Sequence, residues 1–354
     1  MLAFATVKEI DVSRVVSGLV YGMVGAAVFG GLLGLSAKAD DAADWEKVVA
    51  AGKKEGKVVV YSASTPTVIS LRDKAFEKKY GIVVERLDGR SSEIRERIRA
   101  EQSSGRALGD LTITSASTGG EQKAMGAFEE HGFLPNVSKI RLPSKDDGTL
   151  TPTSISRFGI LINTSMVKPE DEPKSWLDLL DPKWKGKILS DDPRANGGTF
   201  QAFFVLYDKF GREFHEKLAA QQPVFARDYA VSERRVARGE FPIYIALNVS
   251  SVVNLRGLPV KGIMPSQDGA PYLTLITAML KGAEHPNAAR LYMNFLLEDE
   301  SQEEWVTFGS DSPTGARPAT LAEDIKRMID PPLMGTTTAE RQPAMLKLFG
   351  EIYK

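Results

Sequence analysis

The sequence predicts an α/β protein of two lobes, each built around a largely parallel sheet. Three observations carry that prediction. The chain has 354 residues, 42% hydrophobic and 26% charged, which suits about two domains with substantial cores. Short β-branched runs alternate with amphipathic stretches, as strands do with crossover helices. The alternation breaks near residue 150, resumes, and returns to its first character near 270.

The elements follow in order. Residues 45–54 have helical spacing, with Trp45, Val48 and Val49 on one face and Gly56 as the stop. Residues 57–61 are a β-branched strand that runs into the polar turn Ser62-Ala63-Ser64-Thr65-Pro66. A helix over 68–80 turns Leu71, Ala75 and Phe76 inward. A strand over 82–87, a helix over 91–104 and a strand over 111–114 follow, the last leading into Ser115-Ala116-Ser117-Thr118-Gly119, a second polar turn. Residues 141–154 are polar and extended, and 155–163 form a strand. After a short helix over 176–180, a strand over 188–190 enters Asp191-Asp192-Pro193-Arg194-Ala195-Asn196-Gly197-Gly198-Thr199. Helices over 200–210 and 232–238 and strands over 242–247, 260–264 and 272–280 come next. Helices over 286–297 and 299–307 close the pattern.

Residues 15–35 carry no charge and are rich in Gly, Ala, Val and Leu. Lys8 and Arg14 precede them; Ala37-Lys38-Ala39 and the acidic pair Asp40-Asp41 follow. This predicts a signal peptide over 1–39, cut after Ala39, and a periplasmic mature protein. A retained membrane anchor is the competing reading, because the apolar run is about long enough to span. Glu9 and Asp11 are unusual ahead of such a run.

Composition narrows the function classes. Cysteine is absent, so there is no disulfide, thiolate metal site or cysteine nucleophile. The formal net charge of -1 gives no reason to expect a nucleic-acid partner. Arg95, Arg97 and Arg99 alternate with Glu93, Glu96 and Glu101, as on a solvated helix. His131, His215 and His285 are far apart, and neither a phosphate-loop lysine motif nor a Gly-x-Ser-x-Gly elbow occurs. Asp191-Asp192 offers paired carboxylates, but reads better as a strand end approaching a helix. The expectation is a binding protein, not an enzyme, with no cofactor and no resident metal.

Three stretches resemble family 1 extracellular solute-binding proteins. They are Lys53-Lys54-Glu55-Gly56-Lys57-Val58-Val59-Val60-Tyr61-Ser62, then Trp176-Leu177-Asp178-Leu179-Leu180-Asp181-Pro182-Lys183-Trp184-Lys185-Gly186-Lys187, and His285-Pro286-Asn287-Ala288-Ala289-Arg290 continuing into Phe295-Leu296-Leu297, Glu300 and Gln302. The resemblance implies the type II periplasmic-binding-protein fold, with two α/β lobes joined by a two-strand hinge and closing over a ligand. It places lobe 1 at 40–152 plus 270–354 and lobe 2 at 153–269, with crossings near 151–156 and 266–272. It also implies an ABC permease as partner. A ligand-sensing role beside a membrane receptor is an alternative, and nothing in the sequence suggests more than a monomer.

Ligands of open α/β sheets bind beyond the carboxyl ends of strands, often at helix N-termini that favour anions. Three polar turns meet that description: Ser62, Ser64 and Thr65; Ser115 and Ser117 with Thr114 and Thr118; and Gly197, Gly198 and Thr199 after Asn196. Any one of them alone reads better as a helix cap, whereas three at one expected cleft favour ligand contact. Arg157, Arg194 and Arg227 are candidate forks for carboxylate or phosphate, Arg194 foremost, with Asp192 and Asp228 close in sequence. Tyr229, Tyr244 and Asn248 could line the second lobe, although Tyr244 sits inside a strand and is expected to face the core. Ferric-binding relatives hold iron with adjacent tyrosines shortly after a Gly-Glu dipeptide; here Gly239-Glu240 is followed by Val249 and Ser250 at the matching place. The expected ligand is therefore a small organic anion, a phosphate ester, phosphonate or carboxylate, with ferric iron the runner-up. A cationic ligand is open as well, but the sequence shows no aromatic-acidic cage.

Overall fold

The computed structural model describes residues 43–63, 66–89, 91–141 and 143–354. The expected signal peptide, Ser64 and Thr65 lie outside the described residues. Among those described, no helix is long and apolar enough to cross a membrane.

Helix α1 covers 43–55. β1 (Lys57–Ser62), α2 (Pro66–Tyr80), β2 (Val83–Asp88), α3 (Ser91–Ser103), β3 (Leu111–Ser115) and α4 (Ala116–Ala124) complete the first α/β block. β1 runs parallel to both β2 and β3. The chain crosses on β4 (Thr151–Asn163) and forms β5 (Ile188–Asp191), α5 (Gly198–Ala220), β6 (Val224–Ala226), α6 (Tyr229–Ala237), β7 (Ile243–Asn248) and β8 (Val260–Ile263). It returns on β9 (Ala270–Met279) into α7 (Pro286–Leu296) and α8 (Asp299–Thr307), then continues through α9 (Glu323–Ile329), β10 (Leu333–Gly335) and α10 (Gln342–Ile352).

The strands follow the order β2-β1-β3-β9-β4-β7-β5-β6. β4 is the element that belongs to both lobes. Its first half pairs antiparallel with β9, and its second half with β7 and β8. Composition changes along it accordingly, from Thr151-Pro152-Thr153-Ser154 to the apolar run Ile160-Leu161-Ile162, and it is buried throughout. Each lobe has its own core. Val58, Val60, Phe76, Leu111, Ile113, Tyr292 and Phe295 fill the first. Trp176, Phe200, Phe203, Phe204, Ile243 and Ile245 fill the second. Full burial of such side chains contributes about 1.5–3 kcal/mol each.

Four expectations need correction. The stretch 270–354 does not stay with lobe 1. Ile325, Met328 and Ile329 pack with Leu161, Leu189 and Leu255, while Met345, Phe349 and Tyr353 pack with Phe200, Phe203 and Trp176. α9, β10 and α10 thus complete lobe 2, whose aromatic core α10 closes. Second, α2 does not bury Leu71 or Ala75; Leu71 is exposed, and Arg72 and Asp73 are buried beside Phe76. They can be buried because they are paired: Asp73 accepts from Arg86 at 2.7 Å and from the Tyr292 hydroxyl at 2.5 Å. Third, the turn after β3 is helical, with Ser115 as the N-cap of α4. Fourth, the helix expected over 200–210 does not stop there: Gly211 kinks it at φ 75°, and α5 runs on to Ala220.

Candidate functional site

A cavity of about 390 Å³ lies where the two lobes meet. Ala63 and Gly89 bound it just after β1 and β2, with Trp305 and Ser310 from α8 and the turn beyond it. Asp191 closes β5 and Asn248 closes β7 on the opposite side, with Tyr229, Ser250 and Ser251 beside them. Ser156, Phe158, Leu273 and Leu275 of the shared strands form the floor. The carboxyl ends of both sheets therefore face one space, where α/β folds place ligands.

The first turn of α5 opens onto this space through Gly198 and Thr199. The leading N–H groups of a helix have no intrahelical acceptor and carry the positive end of its dipole. Gly197, the N-cap, supplies no side-chain acceptor for them. Gly198 is required by close approach: a Cβ there would lie 2.9 Å from Cε1 of Phe158. On β7, Ala246 is the extra residue of a bulge opposite Gly159 and Ile160 and has φ 64°. Such a bulge bends the strand and re-aims the residues after it, here Asn248 on the wall. Asn248 Oδ1 accepts from the N–H and the hydroxyl of Ser250.

The lobe 2 wall is acidic. Burial pushes the Asp191 carboxyl up to about 6, against hydrogen bonds from Tyr244 and Ser232 that favour its charged form. Behind it, burial pushes Glu233 up to about 7, opposed by the Ser251 hydroxyl and reinforced by Asp191 and Asp228. Burial and the neighbouring carboxylates hold the Tyr244 phenol well above its usual range. On the lobe 1 wall, Trp305 is backed by Arg72, whose guanidinium stacks 4.1 Å from the ring and donates to the Ser301 carbonyl at 2.5 Å. Among the described residues lining the cavity there is no lysine or arginine. A second cavity, about 460 Å³, is lined by lobe 1 residues alone, around Arg95, Arg99 and Gln102.

Of the residues singled out in the sequence, Gly198, Thr199, Tyr229 and Asn248 are on the cleft wall, and Gly197 caps the helix beside them. Ser62 is buried at the end of β1, one residue before the wall. Ser115 accepts from the Thr118 N–H at 3.2 Å and lies 3.1 Å from the Ser117 hydroxyl, which in turn meets Gln201 of α5 at 3.5 Å. Neither serine lines the cavity. Arg157 is buried against Asp311 at 2.6 Å and donates to the Pro331 carbonyl. Arg194 is held by Asp192 at 2.7 Å and donates to the Tyr353 carbonyl at 2.9 Å. Both arginines serve the fold and stand off the wall. Tyr244 is core and wall at once. Asp191 and Trp305 line the cavity as well, and sequence reading did not place them there. The strand-end rule points to Asp191; nothing in the sequence points to Trp305, which reaches the cleft from the far end of lobe 1.

Two α/β lobes sharing a pair of crossing strands, with a cavity at their facing strand ends, make up the type II periplasmic-binding-protein fold. Residues 108–330 match the family model described as bacterial extracellular solute-binding protein. The chain belongs to that family, whose members are substrate-binding proteins of ABC transporters. It is 26% identical over 246 residues to the "Putative 2-aminoethylphosphonate-binding periplasmic protein" of Salmonella typhimurium, covering 64% of this chain and 68% of that one. An uncharacterized Haemophilus influenzae protein is 24% identical over 262 residues, 70% of this chain and 75% of that one. Among solved structures, the periplasmic binding protein AfuA of Actinobacillus pleuropneumoniae with fructose-6-phosphate bound superposes with TM-score 0.67 and 21% identity, over 84% of this chain and 98% of that one. Iron-bound HitA of Pseudomonas aeruginosa does so with TM-score 0.67 and 18% identity, over 84% and 99%.

Proposed function

We propose that the protein is the periplasmic capture component of an ABC importer for a small organic ligand with an anionic group, a phosphate ester, phosphonate or carboxylate. The observation that carries this reading is the first turn of α5, which opens onto the cleft at Gly198 and Thr199 without a side-chain cap. Backbone N–H groups there suit phosphate or carboxylate oxygens. The names of the Salmonella relative and of ligand-bound AfuA support the same class. The leader over 1–39 delivers the chain to the periplasm, where it works as a monomer and hands its ligand unchanged to a membrane permease.

Ferric iron is the runner-up because HitA shares the fold. Against it, Tyr244 donates to Asp191 and its phenol is held well above its usual range, whereas ferric iron wants a phenolate. Titration calorimetry with phosphonates, phosphate esters, carboxylates and ferric citrate tests the ranking. Tight binding of an anion returned intact supports the proposal; a visible iron–phenolate band with no anion binding sinks it.

A further inference from the structure

The cavity of about 460 Å³ in lobe 1 has no part in the cleft. It lies at the opposite end of the lobe 1 sheet. The residues that enter β3, Ser103 to Ala107, bound it on one side, and Lys281 and Gly282, just past β9, bound it on another. Leu111 at the start of β3 pairs with Met279 at the end of β9, which fixes these two stretches side by side. The cleft lies past the other ends of β1 and β2, at Ala63 and Gly89. We propose that this second cavity is a separate binding site for a small polyanion, one carrying two or more phosphate or carboxylate groups, held by Arg95, Arg99, Arg106 and Lys281 with Gln122 at its wall.

Charge is the first observation. Those four cations line the cavity, and no aspartate or glutamate does. Arg97, from the same charged run of α3, is turned away to the Tyr61 hydroxyl at 3.1 Å and Glu101 at 2.8 Å. Arg95 and Arg99 are loosely tied, to Glu121 at 3.2 Å and Glu96 at 2.9 Å. Such part-exposed pairs contribute little, so an anion can recruit both guanidinium groups. Arg106 and Lys281 have no carboxylate partner among the described residues. α3 and α4 both end beside the cavity, and the negative ends of their dipoles favour some positive charge there. Two ends of about half a charge each do not balance Arg106 and Lys281.

Gln122 is the second observation, and it is independent of the cations. It stands on the cavity wall, is 2% exposed, and its Oε1 is buried with no hydrogen-bond partner among the described residues. An unpaired buried polar group costs about 1–3 kcal/mol. Turning the amide over exchanges its oxygen and nitrogen, and the N–H groups then suit a phosphate or carboxylate oxygen. Gln102 beside it is already engaged, donating to the Ala127 carbonyl at 2.8 Å. A cavity of this size takes a small molecule, and guanidinium forks suit phosphate and carboxylate. Because lobe 1 alone forms it, its occupancy does not require the lobes to close.

Pyrophosphate and propane-1,2,3-tricarboxylate serve as probes, with orthophosphate and acetate as controls, in titration calorimetry at low salt. The background is Gly198→Ala, which disturbs the α5 turn of the cleft and leaves this cavity intact. At least one polyanion should bind that variant about ten-fold or more tightly than its control. Adding Arg106→Ala and Lys281→Ala, both exposed positions, should weaken it about ten-fold. Removing the same charge from lobe 2 with Lys168→Ala and Lys185→Ala should leave it within two-fold. Hydrogen exchange should slow at 103–107 and 281–282. Circular dichroism checks that each variant is folded. Which probe binds separates phosphate from carboxylate recognition. Failure of both polyanions to bind overturns the site. So does an affinity untouched by the Arg106 and Lys281 changes, or one lost equally with the lobe 2 lysines. Each of those results leaves the cleft reading standing, since that reading is scored on wild type by its own titrations.

Discussion

At Gly198 a single missing methyl group lets α5 begin against Phe158, and the site depends on that approach. Gly198→Ala should shift Phe158 or the helix start, costing about 1–3 kcal/mol of stability and weakening anion binding at least ten-fold by calorimetry. Arg194 makes the opposite case. Its guanidinium is half-exposed and serves Asp192 and the Tyr353 carbonyl. Arg194→Ala should leave ligand affinity within two-fold of wild type and cost no more than about 1 kcal/mol, read from a denaturant melt. Asp191 has a signature in pH. Its folded carboxyl is raised from 3.8 to about 6, so the folded state holds the proton more tightly than the unfolded chain. Stability therefore falls as pH rises between those values, and the penalty is complete above them. Asp191→Asn should melt higher than wild type at pH 7.5, the difference shrinking toward pH 4. Taking the difference removes His215, which burial holds neutral down to about 3 and which acts in the opposite direction.

Elements that look alike in the sequence differ in what they bury. α2 was expected to turn Leu71, Ala75 and Phe76 inward on periodicity, but it turns in Arg72 and Asp73 with Phe76. Hydropathy rejects a buried arginine because it cannot know the partners. Here Trp305, the Ser301 carbonyl and Glu304, all from α8, receive Arg72. α8 thereby holds Trp305 at the cleft. β7 shows the reverse, an element recognised correctly whose local shape was not. Its β-branched run announces a strand, whereas the bulge at Ala246 depends on the register against β4. α10 was not recognised at all, since the predicted pattern stops near Thr307. Its Phe349 packs edge-on against Phe200 and Phe203, with ring centroids 5.9 and 6.2 Å apart. Phe349→Ala should cost about 3–5 kcal/mol, seen as a lower melting temperature with lobe 2 affected first in hydrogen exchange.

In the whole molecule the chain passes between lobes three times: on β4, on β9, and again before α9. The third passage binds the C-terminus into lobe 2, whereas reading by blocks of pattern kept it with lobe 1. The two long strands β4 and β9 pair over 151–157 and 272–277 and carry the floor of the cleft. Contacts such as Ser117 with Gln201 close the gap beside them. A ligand held in this cleft touches both lobes, so binding should raise the melting temperature by mass action, and more steeply for a tight ligand.

The sequence by itself determined the α/β class, the order of nearly all strands and helices through α8, and the membership of a solute-binding family. Those depend on local periodicity and on short motifs that stay together along the chain. It also marked the α5 turn, because Gly-Gly-Thr ahead of a helix is a local signal. Tertiary structure alone decided which polar groups share the cleft. Arg194 and Arg157, the expected anion forks, are consumed by Asp192 and Asp311. Asp191, Tyr229, Tyr244 and Trp305 come together from residues more than a hundred positions apart. Ion pairing and burial are properties of neighbours in space, and a linear reading has no access to them. For that reason the aromatic-acidic wall, absent to sequence inspection, is present in the fold.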